Sequence, residues 1–356
     1  MRAHALLREI IRNLTSGTSR LGALFFISTL ALTVAVLSDV LTISRTVDDA
    51  IEYRGSGAAV MTLALPGRIN GASCDALADT PNVLAAGAMR PEGKVTAGTL
   101  PGEPLDLYTT TPAFARVLGA EDGGSGVYVS TDVASNLGST ALPLTAGAPT
   151  PVRGTYPYPP DGRRAGFGWA VLSPTSASDG AFDECWVLSW PQRSDLRQLL
   201  LTSVTPAAAG AAASEQPIVS QLNTKYGLTF AGSTEYESRI TRYAPYLAAL
   251  VGFVLSAMAV WFRRVEIASN LHAGASRGTL YLQHLIESVA WSLPAVAAAW
   301  MAGFLTATIT APTELPSLAL RSAEIALSFS VGTLTGTAFG FFRVREGRLG
   351  HYVKGR

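Results

Sequence analysis

The chain has 356 residues and a formal net charge of +1 at pH 7, with 48% hydrophobic and 15% charged residues. A composition this apolar argues against an ordinary soluble domain and indicates a membrane component, and the length allows two domains. The balanced total charge excludes little, because acidic and basic residues are concentrated in different segments.

A basic leader, residues 1–20, precedes the first apolar segment, residues 21–44. Leucines and isoleucines recur among the leader's arginines at the spacing of an amphipathic helix, so it either lies on the inner membrane surface or is an ordinary basic flank. Residues 21–44 carry one charge, Asp39, and exceed the about 20 apolar residues that cross a hydrocarbon core. Because residues 38–40 are not a small-x-small cleavage site, we predict an uncleaved transmembrane anchor.

A long insert, residues 45–243, follows the first span and is predicted to be an extracytoplasmic α+β domain. Residues 46–243 contain 19 acidic and 13 basic residues, and short apolar runs alternate with helical patterns. The predicted strands are residues 60–65, 83–89, 127–129 and 186–190. The predicted helices are one that begins at Ser73 with Asp75 in its first turn, one that runs through Asn136 and stops at Gly138, and one at residues 194–201.

Both ends of the insert and two internal segments have distinct patterns. Residues 45–53 and 235–243 are charged and roughly helical in spacing, so we expect them to extend the adjoining membrane helices outward as a stalk. Residues 157–168 are rich in Pro, Gly and Arg, and either form a mobile surface loop or bind a ligand or partner. Residues 206–214 are of low complexity and are expected to be exposed.

The insert contains both cysteines of the chain, Cys74 and Cys185. In an oxidising compartment this pair predicts one disulfide, which would stabilise the domain by about 3 to 5 kcal/mol, and two free thiols are the alternative. No metal site is expected there, because the insert contains no histidine.

Three more apolar segments follow the insert, at residues 244–262, 284–310 and 323–342. With residues 21–44 they make four predicted transmembrane helices, one before the outer domain and three after it. The alternative is that all four are buried helices of a large soluble enzyme.

The distribution of basic residues predicts the orientation. Twelve Lys and Arg residues lie in the leader, in the loop at residues 263–283 and in the tail at residues 343–356, whereas residues 311–322 form a short outer loop. Because short basic flanks stay in the cytoplasm, we predict a multi-pass protein of the plasma (inner) membrane with both termini cytoplasmic.

The loop after the second span contains three ordered motifs. It reads RRVEI at 263–267 and AGASR at 273–277, and LIES follows at 285–288 as the third span begins. This order and spacing resembles the FtsX/MacB-like permease family of ABC transporters, in which the element is a coupling helix that fits a groove on the ATPase subunit. Val265 and Asn270 depart from the family pattern, which favours basic residues near these positions.

The resemblance extends beyond this loop. Residues 127–138 (VYVSTDVASNLG) and 108–119 (YTTTPAFARVLG) are similar to segments of MacB-like outer domains. The order of one span, a large outer domain and three spans is also the family's topology.

The resemblance implies a set of ATPase-coupling residues. Gly274 would allow a positive φ at the end of the coupling helix, and Glu287 would enter the membrane paired with Arg263, Arg264 or Arg277. The full set is Arg264, Glu266, Ile267, Leu271, Gly274, Ala275, Arg277 and Glu287.

The last span has a glycine at every fourth position, namely Gly332, Gly336 and Gly340. Such a small-residue face lets another helix approach closely. It packs either within the chain or against a second permease copy.

Residues with catalytic chemistry do not stand out. The sequence has no phosphate-binding G-x-x-x-x-G-K-[ST] loop, no G-x-S-x-G elbow and no H-E-x-x-H helix, so no enzyme activity and no cofactor are expected in this chain. ATP and Mg²⁺ are expected on a separate ATPase.

The resemblance implies a permease subunit that exports or extrudes a peptide, an antibiotic or a lipid-like substrate. Its expected partners are a cytoplasmic ABC ATPase dimer, a second permease copy (identical or similar) and the lipid bilayer, with no nucleic acid. One alternative is an FtsX-like mechanotransmitter that activates an extracytoplasmic cell-wall hydrolase. Another is a passive membrane-anchored receptor.

Overall fold

A computed structural model describes residues 8, 11–13, 20–99, 102–121, 125–137, 141–142, 150–206 and 216–354. The chain forms two compact units: residues 1–48 together with 232–356, here called the helical unit, and residues 49–231, here called the sheet unit. Most of the predicted leader helix lies outside the described residues, as do Gly138 and, except for Pro206, the predicted low-complexity loop.

The secondary structure confirms the predicted mixture of long helices and short strands. In chain order the elements are α1 (Leu21–Gly55), β1 (Val60–Asn70), α2 (Gly71–Asp75), β2 (Val83–Val95), β3 (Leu105–Thr110), α3 (Phe114–Val117), β4 (Val127–Ser130), α4 (Thr131–Leu137), β5 (Ala141–Leu142), β6 (Thr150–Tyr156), β7 (Ala170–Pro174), β8 (Ala181–Ser189), α5 (Leu196–Leu201), β9 (Ile218–Gln221), α6 (Gly232–Ser238), α7 (Ala244–Phe262), α8 (Arg264–His272), α9 (Arg277–Thr310), α10 (Leu315–Phe342) and α11 (Leu349–Lys354).

The sheet unit is built on one mixed nine-stranded sheet in the order β5-β6-β4-β7-β3-β2-β8-β1-β9. The β3–β7 and β4–β6 pairs are parallel, and the other described pairs are antiparallel. Strand β8 is central to the core because successive side chains point to opposite faces. Trp186 packs with Phe114 and Tyr156 in one buried cluster, whereas Cys185 belongs to another cluster with Leu63.

A disulfide joins Cys74 to Cys185, which confirms the predicted pairing. It connects α2 to β8 within one of these buried clusters. We expect the full-length C74S/C185S variant to lose about 3 to 5 kcal/mol of sheet-unit stability, because the bond closes a long loop. Hydrogen exchange of the β1 and β8 amides measures this loss. Unchanged exchange protection in those two strands would contradict it.

Residues 157–168 lie largely at the surface, as predicted, and two buried aromatic side chains anchor the segment. Tyr158 and Phe167 are 7% and 1% exposed, and the Tyr158 hydroxyl donates a hydrogen bond to the Arg164 carbonyl. Burial raises the pKa of that hydroxyl. The Arg164 guanidinium lies over the Trp186 ring and pairs with Glu184 at 2.8 Å. The loop therefore closes one face of the sheet core.

Three predicted element boundaries are wrong. Helix α2 begins at Gly71 because the Asn70 side chain accepts a hydrogen bond from the Ser73 amide at 2.8 Å, so Asp75 ends this helix. Strand β8 begins at Ala181, since its first residues pair with β1. The second stalk segment is broken at Arg239, between α6 and a 3-10 turn.

Four helical segments are long and apolar enough to cross a membrane by length and composition. They are Leu21–Gly55, Gly232–Phe262, Arg277–Thr310 and Pro312–Phe342, so the helix around the fourth span begins earlier than residue 323. In the most apolar stretch of each, only 17% to 50% of the residues are buried, and side chains such as Phe26 and Tyr246 are more than 70% exposed. Such exposed apolar side chains favour membrane helices over the buried core helices of a soluble enzyme, because water would otherwise face them.

The glycine face of α10 packs within the chain, against α7. A Cβ added at Gly332 would overlap the Ala249 carbonyl, one at Gly336 would overlap the Phe253 carbonyl, and one at Gly340 would lie 3.1 Å from the Ala257 oxygen. Close backbone approach of this kind is how small residues hold membrane helices together.

We expect Gly332→Ala to cost about 1 to 3 kcal/mol by overpacking the α7–α10 contact. Thermal denaturation in detergent micelles measures the loss. Gly278→Ala is the matched control, because Gly278 also lies in a helix but an added Cβ meets open space there. Equal midpoints for the two variants would show that the close contact contributes no stability.

Candidate functional site

The short helix α8 connects α7 to α9 through two sharp turns. At its end Gly274 adopts φ +88°, with its amide bonded to the Leu271 carbonyl at 3.0 Å, and the Ala275 amide reaches the Asn270 carbonyl at 3.0 Å. The Ser276 hydroxyl then accepts from the Thr279 amide at 3.3 Å and caps α9. The AGASR motif thus ends α8 at Gly274 and caps the beginning of α9 at Ser276.

Helix α8 has one buried side and one exposed edge. Ile267 and Leu271 pack inward with Tyr352 of α11, in a cluster that also contains Val260, Ala268, Leu280, Phe341 and Val344. Ile267 and Leu271 were predicted to be coupling residues, but they are 1% and 7% exposed and support α8 from within instead of presenting a surface to a partner. The exposed edge consists of Ser269, Asn270, His272, Ala273 and Gly274.

The remaining predicted residues of this segment differ in accessibility. Arg264 lies over the Trp261 ring at 4.9 Å and bonds the Trp261 carbonyl at 3.3 Å. Ala275 packs at the margin of the buried cluster. Arg277 is exposed at the first position of α9, beside the exposed edge.

A buried ion-pair network fixes α8 to α9. Arg263 donates to Glu266 from Nε at 2.8 Å and from Nη2 at 2.7 Å, and its Nη1 also pairs with Glu287. Glu287 further accepts from Asn13 at 2.9 Å and has His284 Nδ1 at 3.5 Å. The Glu287 side chain is 6% exposed, so its charge depends on these partners.

Of the three arginines predicted to pair with Glu287, the structure selects Arg263. Sequence reasoning did not include Arg263, His284 or Asn13 among the site residues. The i, i+3 spacings of Arg263 with Glu266 and of His284 with Glu287 were available signals. Asn13 had no local signal, because its contact spans 274 residues.

A second buried network lies elsewhere in the helical unit, around Asp39 of α1. The Asp39 carboxylate is fully buried. It forms ion pairs with Arg321, whose Nε lies 3.0 Å away, and with Arg239, whose Nε lies 3.4 Å away. Arg321 also pairs with Glu324 and donates to the Arg242 carbonyl at 2.9 Å. The network connects α1, the break after α6, and α10.

The end of α1 is held by polar side chains within the sheet unit. Arg163 donates to the Gly55 carbonyl at 2.9 Å, and Asn223 donates to the Ser56 carbonyl at 3.0 Å. Asp161 accepts two hydrogen bonds from the Arg163 side chain, which hold the pKa of this carboxyl below its usual range. These contacts satisfy carbonyls that a helix end leaves unpaired.

An aromatic cluster adds to this anchor. The Tyr53 ring packs against Trp190 and Phe230. Its hydroxyl accepts hydrogen bonds from Gln192 at 2.8 Å and Gln221 at 3.0 Å. The last turn of α1 is therefore fixed in the sheet unit by hydrogen bonds and by packing.

Comparisons with known proteins give little further information. No family model matches the chain, and no curated protein matches it. Among solved structures, a domain of a protein named as a permease from Porphyromonas gingivalis is 13% identical, with 46% of this chain and 90% of that chain covered and a TM-score of 0.30. A similarity at this level supports no conclusion about the present fold.

Among the described residues, no group of three or more His, Cys, Asp or Glu side chains is placed to hold a metal ion. In the described part of the helical unit, the ion pairs around Glu287 and around Asp39 form two buried networks. Both networks join helices to one another, which is an arrangement that positions elements.

Proposed function

We propose that this chain is the permease subunit of an FtsX/MacB-like ABC transporter of the plasma membrane, with both termini in the cytoplasm. A separate ATPase dimer, which binds ATP and Mg²⁺, docks on the exposed edge of α8, and a second permease, identical or similar, completes the assembly. The observation that carries the proposal is the ion-pair network at α8, in which Arg263 pairs with both Glu266 and Glu287. A surface helix that only connected two spans would not require a buried charge network.

In this proposal, helix α1 transmits movement from the helical unit to the sheet unit. It is one continuous helix of 35 residues that belongs to the helical unit through Asp48 and to the sheet unit from Asp49. Its last turn is anchored by Arg163, Asn223 and Tyr53. ATP-driven movement at α8 passes through the helical unit and α1 to the sheet unit, which extrudes a peptide, an antibiotic or a lipid-like substrate.

Co-purification tests the docking step. The full chain is purified in mild detergent from its native membranes and assayed for Mg²⁺-dependent ATP hydrolysis. Asn270→Trp places a large side chain on the exposed edge of α8, and we expect it to remove the co-purified hydrolysis by at least about tenfold, which corresponds to about 1.4 kcal/mol of binding free energy.

His351→Trp is the matched control. His351 is exposed on the short helix α11, which contributes Tyr352 to the cluster under α8, and it lies outside the coupling motif. We expect this variant to retain the wild-type hydrolysis. Absence of hydrolysis from the wild-type preparation, or its full retention by Asn270→Trp, would contradict the proposed docking and favour a passive receptor.

A further inference from the structure

We propose that the sheet unit binds an acyl chain ending in one anionic group, in a cavity beside the last turn of α1. The cavity has a volume of about 380 Å³, which lies within the range of small-molecule sites. All of its lining residues belong to the sheet unit.

Most of the side chains that line the cavity are apolar. Val60, Leu118 and Leu222 form buried walls that are 2% to 5% exposed. Leu84 also lines the cavity, yet it is 53% exposed and lies outside the candidate membrane spans. An apolar ligand in the cavity would contact Leu84 and remove part of this side chain from water.

One cation on the lining is available to a ligand. Arg54 is exposed, and among the described residues its side chain makes no hydrogen bond or ion pair. Arg163 also lines the cavity, but its charge is already compensated by two hydrogen bonds to Asp161. A single unpaired guanidinium beside apolar walls selects an amphipathic anion.

The carboxyl end of α1 does not repel an anion bound at Arg54. Its carbonyls carry partial negative charge, but Arg163 and Asn223 already donate to Gly55 and Ser56. The backbone therefore presents no unpaired acceptors at those two residues. A carboxylate at Arg54 would gain a charge-assisted hydrogen bond at the helix end.

The location of the cavity also suggests what binding does. Arg54 and Gly55 are both the cavity wall and the end of α1, so an occupied cavity changes the contacts of the anchored helix turn. This consequence rests on the proposed function, in which α1 connects the sheet unit to the ATPase. The binding itself does not.

Binding of radiolabelled octanoate to the full chain in zwitterionic nanodiscs tests the site, with binding to empty nanodiscs subtracted. We expect saturable binding of one octanoate per chain. Arg54→Gln should weaken it about tenfold, because the charged hydrogen bond is lost, and unlabelled octanol should compete about tenfold less well than unlabelled octanoate.

Leu84→Gln and Leu228→Gln form a matched pair, since both leucines are exposed in the sheet unit but only Leu84 lines the cavity. We expect weaker binding only for Leu84→Gln, with the same thermal midpoint for both variants. No saturable octanoate binding, or wild-type affinity in Arg54→Gln, would overturn the site. If octanoate binds as expected but does not change the hydrolysis rate of the co-purified ATPase, the site stands and the coupling role of α1 fails.

Discussion

Replacing Glu287 by alanine is expected to lower the stability of the helical unit by about 3 kcal/mol and to uncouple ATP hydrolysis from transport activity. The Glu287 side chain is 6% exposed and compensates Arg263, which is itself 10% exposed. Without Glu287, the link between α8 and α9 loses its buried charge pair and the hydrogen bond from Asn13. The thermal midpoint in detergent measures the first effect, and ATP turnover per transported substrate measures the second.

Glu266→Ala is the matched control for stability. Glu266 contacts the same arginine but is 38% exposed, so water replaces part of the lost interaction. We expect its removal to cost less than about 1 kcal/mol. Equal losses for the two variants would show that burial of the Arg263–Glu287 pair has no special role.

Replacing Arg321 by methionine is expected to cost about 1.5 to 3 kcal/mol, because the fully buried Asp39 loses a charged hydrogen bond at 3.0 Å and keeps Arg239 as its remaining partner at 3.4 Å. A carboxylate in a membrane-spanning helix depends on such pairing. Thermal denaturation of the full chain in micelles measures the loss. The Asp39→Leu/Arg321→Met double variant should recover part of it, because this network then contains no buried carboxylate.

Glu324→Gln is the control for this network. Glu324 also pairs with Arg321, but it is 56% exposed, and we expect a change below about 1 kcal/mol. A midpoint for Arg321→Met as high as that of Glu324→Gln would mean that Asp39 needs no second cation. It would also remove the reason to assign this network a role in holding α1 to α10.

The sequence was sufficient for the parts of the fold that depend on local pattern. Long apolar runs predicted the four helices long enough to cross a membrane, and two cysteines in one insert predicted their disulfide. The Pro- and Gly-rich composition of residues 157–168 predicted a surface loop. It did not predict the contacts of Phe167 and Arg164 with Trp186, because these contacts depend on the folded sheet.

The candidate site was predictable only in part, for the same reason. The AGASR motif predicted the turn at Gly274, where a positive φ is required. The sequence narrowed the partner of Glu287 to three arginines, and the folded structure shows that this partner is Arg263. The partners of Asp39 lie 200 and 282 residues away, so nothing near Asp39 in the sequence indicated them.

Hydrogen exchange at the end of α1 tests the central claim most directly. The wild-type chain, in complex with the ATPase that the proposed function requires, is compared with and without Mg²⁺-ATP. Exchange is followed over residues 53–59, which include the Gly55 and Ser56 anchor points. We expect ATP to change protection of these amides in the wild type and to leave it unchanged in Glu287→Ala. Unchanged protection in a wild-type complex that hydrolyses ATP would contradict transmission from α8 to the sheet unit.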